Sequence, residues 1–523
     1  MSLFRGIATI GGMTMISRVL GFARDVLMAA LLGTGAMADA FFVAFQFPNL
    51  FRRLFAEGAF NAAFVPLFAG TLQAHGPEAA RAFAGRALSL LLAVLIPFTL
   101  AAELAMPWLM LGFAPGFADE PEKFALAVQF TRLTFPYLLF MALVSMLGAM
   151  VNAIDRFAVA SAAPILLNII MILALLGPVH WTTTPGHALA WAVAAAGIAQ
   201  FLWLAQDAAR AGMLPRLPRP ALTPDTRRLF KLMLPGIFGA SVFQLNQWIG
   251  TVLASLLPSG AVSYLFYADR VNQLPLGVVG VAVGVALLPL LSRQLRAGNL
   301  EAARADQNRA IEFALLLTLP AAAALFTVAG PIITVLFERG AFGAESAAKT
   351  AAALAAFSTG LPAYVLVKAL SPGFYAREDV ATPVHVGIAA MAVNVTAAVL
   401  LMIPLQHVGI AIATSVSSWV NAGALGVILW RRGFLDPDAR LKRRLRSIIA
   451  ATVAMVAALL LAEWGLRGFL AGGTLARSAA LVALVSIGLA AYGVACLALG
   501  AASLAELRQA LVRKGPAPAA PME

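Results

Sequence analysis

The sequence predicts an all-α integral membrane protein, with about fourteen transmembrane helices arranged as two pseudo-symmetric six-helix lobes plus two C-terminal helices. Three observations carry this expectation. Of 523 residues, 61% are hydrophobic and 12% charged, where a soluble domain has about half and about a quarter. The apolar residues gather into runs near the ~20 residues that a bilayer core demands of a helix. Finally, the first and second parts of the chain repeat each other.

The apolar runs begin near Leu3, Ala36, Phe83, Phe124, Ala158, Gly186, Leu229, Gly260, Ile311, Ser346, Val380, Gly409, Ser447 and Leu475. Helices suit them because every backbone N–H and C=O in hydrocarbon must be satisfied within its own segment. Arg18, Arg24 and Asp25 interrupt the first run, and no short apolar core ends in a small-residue cleavage site. It therefore reads as a retained helix and not as a cleaved leader.

Basic residues orient the chain, since Lys and Arg collect in cytoplasmic loops. With the N-terminus inside, the inner connections hold Arg5; Arg81 and Arg86; Arg156; the run from Arg210 to Lys231; Arg293 to Arg309; Arg377; Arg431 to Arg446; and Arg508, Arg513 and Lys514. The other side holds only Lys123, Arg339, Lys349, Arg467 and Arg477, and its loop with Asp119, Glu120 and Glu122 is acidic. Both termini are thus expected in the cytoplasm. The net charge of +13 reports orientation, and no nucleic-acid partner is expected.

The repeat is visible by self-comparison. Leu31 to Ala36, followed by Phe41-Phe42, recurs as Leu256 to Ala261, followed by Phe266-Tyr267; Val65-Pro66-Leu67 matches Leu288-Pro289-Leu290, and Phe135-Pro136 matches Leu361-Pro362. The resulting division is an N-lobe at 1–212, a basic linker at 213–228, a C-lobe at 229–433, two extra helices within 434–514 and a cytoplasmic tail at 515–523. Six helices per lobe is an even number, so both lobes insert the same way, related by an axis along the membrane normal.

Seven basic residues remain inside spans: Arg18, Arg24, Arg52, Arg53, Arg132, Arg270 and Lys368. Asp25, Asp39, Glu57, Glu103 and Asp269 lie at similar depth. A mid-bilayer charge costs about 2.5–3.5 kcal/mol even on the gentlest scale, so such residues face a cavity or a partner. Several have bland readings. Arg53 and Glu57 are four apart and can pair along one helix face; Asp269 and Arg270 can neutralise each other; Arg18 and Asp25 share a face; Arg132 and Glu103 can snorkel. Arg52 is harder to dismiss, because Pro48-Asn49 precedes it and proline frees backbone groups. Arginine's rigid fork suits phosphate or carboxylate, so Arg18, Arg24, Arg52 and Arg270 together predict an anionic substrate. The five histidines are scattered, and Cys496 stands alone. No catalytic constellation and no metal site is expected, which argues against an enzyme.

Several motifs carry a resemblance: Ser17-Arg18-Val19-Leu20-Gly21-Phe22-Ala23-Arg24-Asp25; Ala38-Asp39-Ala40-Phe41-Phe42; Phe47-Pro48-Asn49-Leu50-Phe51-Arg52-Arg53 running on to Glu57; Tyr267-Ala268-Asp269-Arg270; and Lys368-Ala369-Leu370-Ser371-Pro372-Gly373-Phe374-Tyr375. Over essentially its whole length the chain resembles the MurJ (MviN) lipid II flippases of the multidrug/oligosaccharidyl-lipid/polysaccharide exporter superfamily. The resemblance implies a protein of the bacterial cytoplasmic (inner) membrane that moves the undecaprenyl-diphosphate-linked peptidoglycan precursor to the outer leaflet. It implies that Arg18, Arg24, Arg52, Arg270, Asp39 and Asn49 bind substrate. Ser17, Asp25, Asp269, Glu57 and Lys368 would serve gating or coupling, the last two as a cytoplasmic ionic gate. The two extra helices would take the lipid tail. Lipid II and membrane lipids are the expected partners of a monomer, with the cell-wall synthesis machinery as a candidate.

Some members of the family hold sodium with carboxylates, but the corresponding positions here are Gly250 and Ala398, near neutral Asn246, Asn394 and Thr414. That set is poor for a hard cation. No cofactor is expected, and membrane potential or a proton gradient is favoured as the drive over sodium. The competing readings are a drug or cation antiporter, or another polysaccharide-lipid exporter of the same superfamily. An antiporter for cations calls for an acidic, aromatic cavity, whereas arginine leads here.

Overall fold

The computed structural model describes residues 3–53 and 60–502, with the side chains of 3–8, 62, 178, 234–243 and 278–286 left aside. Its helices are α1 (Leu3–Leu32), α2 (Ala36–Phe51), α3 (Asn61–Leu104), α4 (Met106–Phe113), α5 (Pro121–Thr134), α6 (Tyr137–Asn152), α7 (Phe157–Leu176), α8 (Pro185–Arg210), α9 (Pro224–Ser255), α10 (Ala261–Arg296), α11 (Leu300–Thr327), α12 (Ala329–Phe337), α13 (Ala344–Ser358), α14 (Leu361–Tyr375), α15 (Ala381–Arg431), α16 (Ala439–Gly465), α17 (Arg467–Leu470) and α18 (Thr474–Ala498). All fourteen apolar runs begin within or beside one of them. Among the described residues, nine segments are long and apolar enough to cross a membrane, so the chain is an all-helical, multi-pass membrane protein.

Two of the long helices are broken. In α3 the break is Gly76 (φ 79°), followed by Pro77, which has no N–H to continue the ladder. In α15 it is Gln406, whose φ of 48° and ψ of −131° are unusual for a residue with a side chain. Pro48 lies inside α2, and the backbone passes into a π-helical turn at Arg52 and Arg53, a local widening common at functional sites.

Packing defines two compact units. The first comprises 1–270, 336–353 and 391–413; the second comprises 271–335, 354–390 and 414–523. These units follow contact, whereas the expected lobes follow the sequence repeat, so the two divisions answer different questions. In the first unit α1 packs on α7, α7 on α8, α2 on α5, α5 and α6 on α8, and α3 on α6 and α9. Glycine permits one of these approaches: a Cβ at Gly197 would come within 2.9 Å of the Tyr137 ring. Where α1 ends, the backbone N–H of Ala341 donates to the carbonyl of Ala30 at 2.8 Å. Gly340 makes this possible, with φ at +58° and no room for a Cβ against that same carbonyl. Gly340→Ala should therefore cost about 1–2 kcal/mol from the left-handed backbone alone, before any clash, and lower the thermal unfolding midpoint. An unchanged midpoint would show that the turn does not hold α1.

In the second unit α11 packs on α14 and α16, and α16 on α18. An apolar cluster of Leu370, Phe374, Leu425, Leu429, Leu435 and Leu441 fills its interior. Glu312 on α11 is a buried ionic hub: Arg309 and Arg440 bond to it, and Arg444 lies 3.8 Å away. Arg309 also pairs with Asp438, whose carboxylate caps α16 through the Leu441 N–H at 2.6 Å. The Tyr492 hydroxyl of α18 donates to the Leu316 carbonyl at 2.7 Å. The two C-terminal helices are thus tied to α11 by ions at one level and a hydrogen bond at another.

Candidate functional site

Arg24 and Asp25 are adjacent on α1, and both are buried, at 5% and 0% exposure. The Arg24 guanidinium donates to Asp25 Oδ1 from Nε (3.0 Å) and Nη2 (2.7 Å), while Nη1 donates to Asn168 Oδ1 on α7 at 2.9 Å. Asn168 in turn donates from Nδ2 to the Ser17 carbonyl, 2.9 Å away. The second oxygen of Asp25 accepts from Arg270 Nε on α10 at 2.5 Å. A single carboxylate is therefore shared by two guanidiniums, and the trio carries one net positive charge. Gly21 leaves room for this junction, since a Cβ there would lie 3.5 Å from the Asn168 amide and 3.7 Å from Arg270. Arg270 keeps 32% of its side chain exposed, against 6% for Arg24 and 0% for Asp25.

Phe45 on α2 links this trio to a second arginine. Its ring lies under Arg24 (5.8 Å from the guanidinium carbon), and its carbonyl accepts the Asn49 amide at 2.6 Å. Asn49 Oδ1 then accepts from Arg52 Nε at 3.0 Å, so a side-chain amide anchored on the Phe45 carbonyl orients the guanidinium. Arg18 is exposed on α1, and Ser17 and Asp269 are half-buried.

Asp39 stands in a different network. It is 1% exposed, and its oxygens accept the N–H of Gly260 (2.7 Å), the N–H of Ser263 (2.9 Å) and the Ser263 hydroxyl (2.6 Å). It thus serves as the N-cap of α10 from another helix, a position where a carboxylate meets unpaired N–H groups and a favourable dipole. Lys123 approaches it to 3.2 Å and donates to Ser259 Oγ at 2.8 Å. Ser259 donates to Glu120 at 2.9 Å. Lys123 is only 2% exposed and lies over the Phe117 ring, 4.3 Å from its centre.

The arrangement separates the expected site residues into groups. Ser17 and Arg24 meet at Asn168, and Arg24 and Arg270 meet at Asp25; Asn49 and Arg52 adjoin them through Phe45; Asp39 belongs to the α10 cap. Lys368 is exposed in the second unit, and its expected partner Glu57 lies outside the described residues. Arg132 on α5 donates to the Glu103 carbonyl near the end of α3 at 3.2 Å.

The sequence profile of the family described as "Lipid II flippase MurJ" matches residues 28–480. A "Probable lipid II flippase MurJ" from Rhizobium tropici is 45% identical, covering 99% of this chain and 98% of its own. The chain belongs to the MurJ lipid II flippase family. A "Lipid II flippase MurJ" from Burkholderia cenocepacia is 35% identical, covering 87% of this chain and 89% of its own. The solved structure titled "Lipid II flippase MurJ, inward closed conformation" is 21% identical, with a TM-score of 0.79 over 96% of this chain and 99% of that one. An inward-facing multidrug resistance MATE family transporter of the MOP superfamily follows at a TM-score of 0.68, 14% identical, over 83% of this chain and 99% of its own. The fold is therefore the one that MurJ shares with that superfamily.

In this MurJ-family chain the amides proposed near a sodium position are engaged with each other: Asn394 Nδ2 donates to Asn246 Oδ1 at 2.8 Å. The Asn394 Oδ1 is buried without a hydrogen-bond partner among the described residues. Sequence reasoning missed Asn168 and Lys123. A signal existed for the first, as a lone amide in the apolar run of α7. Lys123 looked like an ordinary loop charge, and only folding reveals its burial.

Proposed function

We propose that this MurJ-family chain moves lipid II, the undecaprenyl-diphosphate-linked peptidoglycan precursor, from the inner to the outer leaflet of the bacterial cytoplasmic membrane by alternating access. The observation that carries the reading is the Arg24–Asp25–Arg270 trio, a net positive group held in an apolar protein by a carboxylate that a better anion can displace. A diphosphate offers several acceptor oxygens at a spacing that the guanidinium fork matches bidentately. Arg52, oriented by Asn49, supplies a further donor, and the exposed Arg18 extends the positive surface.

The Asp39–Lys123 cap of α10 lies at the end of the chain's helices assigned to the outer face, where it closes the route outward while the trio receives substrate. Glu57 and Lys368 keep the gating role on the cytoplasmic side that the family resemblance implies for them. The drive is membrane potential or a proton gradient. One charge crossing 100 mV is worth about 2.3 kcal/mol, so moving the net charge of the trio is enough to bias the cycle. Both termini lie in the cytoplasm, the protein acts as a monomer without a cofactor, and α16 and α18 take the polyprenyl chain. A cation antiporter is disfavoured, because its substrate would be repelled by the group that dominates the site.

The test is depletion of the protein in growing cells, followed by measuring lipid II exposed on the outer leaflet. Exposure should fall as the protein is lost. Unchanged exposure accompanied by a drug-efflux defect would overturn the assignment.

A further inference from the structure

Tyr267 on α10 is fully buried. Its ring is enclosed by Phe42, Phe337 and Phe342, with ring centres 5.3, 5.2 and 5.4 Å away. In the sequence repeat its counterpart is Phe42, so an aromatic ring without a hydroxyl satisfies the equivalent position. Packing alone therefore does not call for the oxygen. That hydroxyl is buried and has no hydrogen-bond partner among the described residues, a condition that folded proteins rarely tolerate without a reason. It belongs one turn before Arg270 on the same face of α10, and Arg270 is the residue that bonds Asp25 Oδ2.

We propose that Tyr267 is a positioning residue whose hydroxyl takes over Asp25 when the substrate takes the arginines. The proposal rests on the reading that Arg24 and Arg270 receive the anionic group. In the present arrangement each oxygen of Asp25 has its own arginine, at 2.7 Å and 2.5 Å. A diphosphate competes for those same N–H groups. As they turn toward it, Asp25 is left as a buried carboxylate without donors, the situation that is most costly when one partner of a buried pair departs. The phenol O–H one turn before Arg270 then turns to the vacated oxygen, donates to it and keeps the carboxylate satisfied. Asp39 does not need it, because Gly260, Ser263 and Lys123 already saturate its oxygens. From α7, the Asn168 amide and the Met171 thioether both face Arg24.

The experiment uses the full chain in lipid nanodiscs and a water-soluble lipid II analogue with a short prenyl chain, titrated against the wild type, Arg24→Gln, Tyr267→Phe, Asp25→Asn and the Asp25→Asn/Tyr267→Phe double variant. Arg24→Gln should weaken binding. Tyr267→Phe should weaken it about tenfold, as for a lost hydrogen bond to a charged group, with the thermal unfolding midpoint unchanged. In the Asp25→Asn background the same Tyr267→Phe change should weaken binding by about threefold or less, because the acceptor is no longer charged. A loss of equal size in both backgrounds assigns Tyr267 to packing and overturns the inference. If Arg24→Gln weakens binding and Tyr267→Phe does not, the inference fails and the arginine site stands. If Arg24→Gln leaves binding intact, the site reading itself fails and takes the inference with it.

Discussion

Lys123→Met should destabilise the protein by about 3–5 kcal/mol, the range seen when one member of a buried ion pair is removed. The reason is the environment of Asp39. With Lys123 gone, the carboxylate, 1% exposed, keeps the donors of Gly260 and Ser263 but loses the cation that pairs with it. The companion substitution separates this cause from lost packing. In Asp39→Asn/Lys123→Met no buried charge is left over, so the double variant should be more stable than Lys123→Met alone. Thermal unfolding of both in the same detergent provides the comparison. Equal midpoints for Lys123→Met and the wild type would mean that the pair is not a closure element.

Flipping should fall at least about 100-fold in Arg24→Ala, equivalent to two charge-assisted hydrogen bonds at about 1.5 kcal/mol each. Arg24 occupies Asp25 through two nitrogens and Asn168 through the third, so its removal frees an acid and an amide together. Arg24→Lys is the sharper variant. It preserves the charge but lacks the planar fork that spans both partners, and it should recover only a small part of the rate. Initial rates of lipid II translocation in proteoliposomes measure both. Recovery of more than half the rate in Arg24→Lys would reduce Arg24 to a point charge.

The membrane fold and the charged motifs were legible in the sequence because both rest on short-range rules. Hydrocarbon demands long apolar helices, and it penalises any charge without a reason to be there. Those rules mark Arg24, Asp25, Asp39 and Arg270 directly. They do not say how the charges pair, because pairing depends on which helix ends meet. Asp39 and Asp25 look equivalent along the chain, yet one caps α10 while the other divides two arginines. Lys123 was invisible for a related reason. It follows Glu120 and Glu122 in a short connection, where charges are normally solvated, and its burial comes from Phe117 on one side and Ser259 on the other. Neither contact has a local signature.

The cap on α10 has a mechanical consequence. Ser263, held by Asp39, and Arg270, held by Asp25, are seven residues apart on one helix, which is about two turns and about 10 Å of stiff rod. Both anchors grip the same side of that rod, one at its tip and one further along. A tilt that frees either end strains the other, so under the proposed role of Arg270, cargo that draws it away from Asp25 loads the tip like a key lifting a latch. Unlocking and loading then become two ends of one lever.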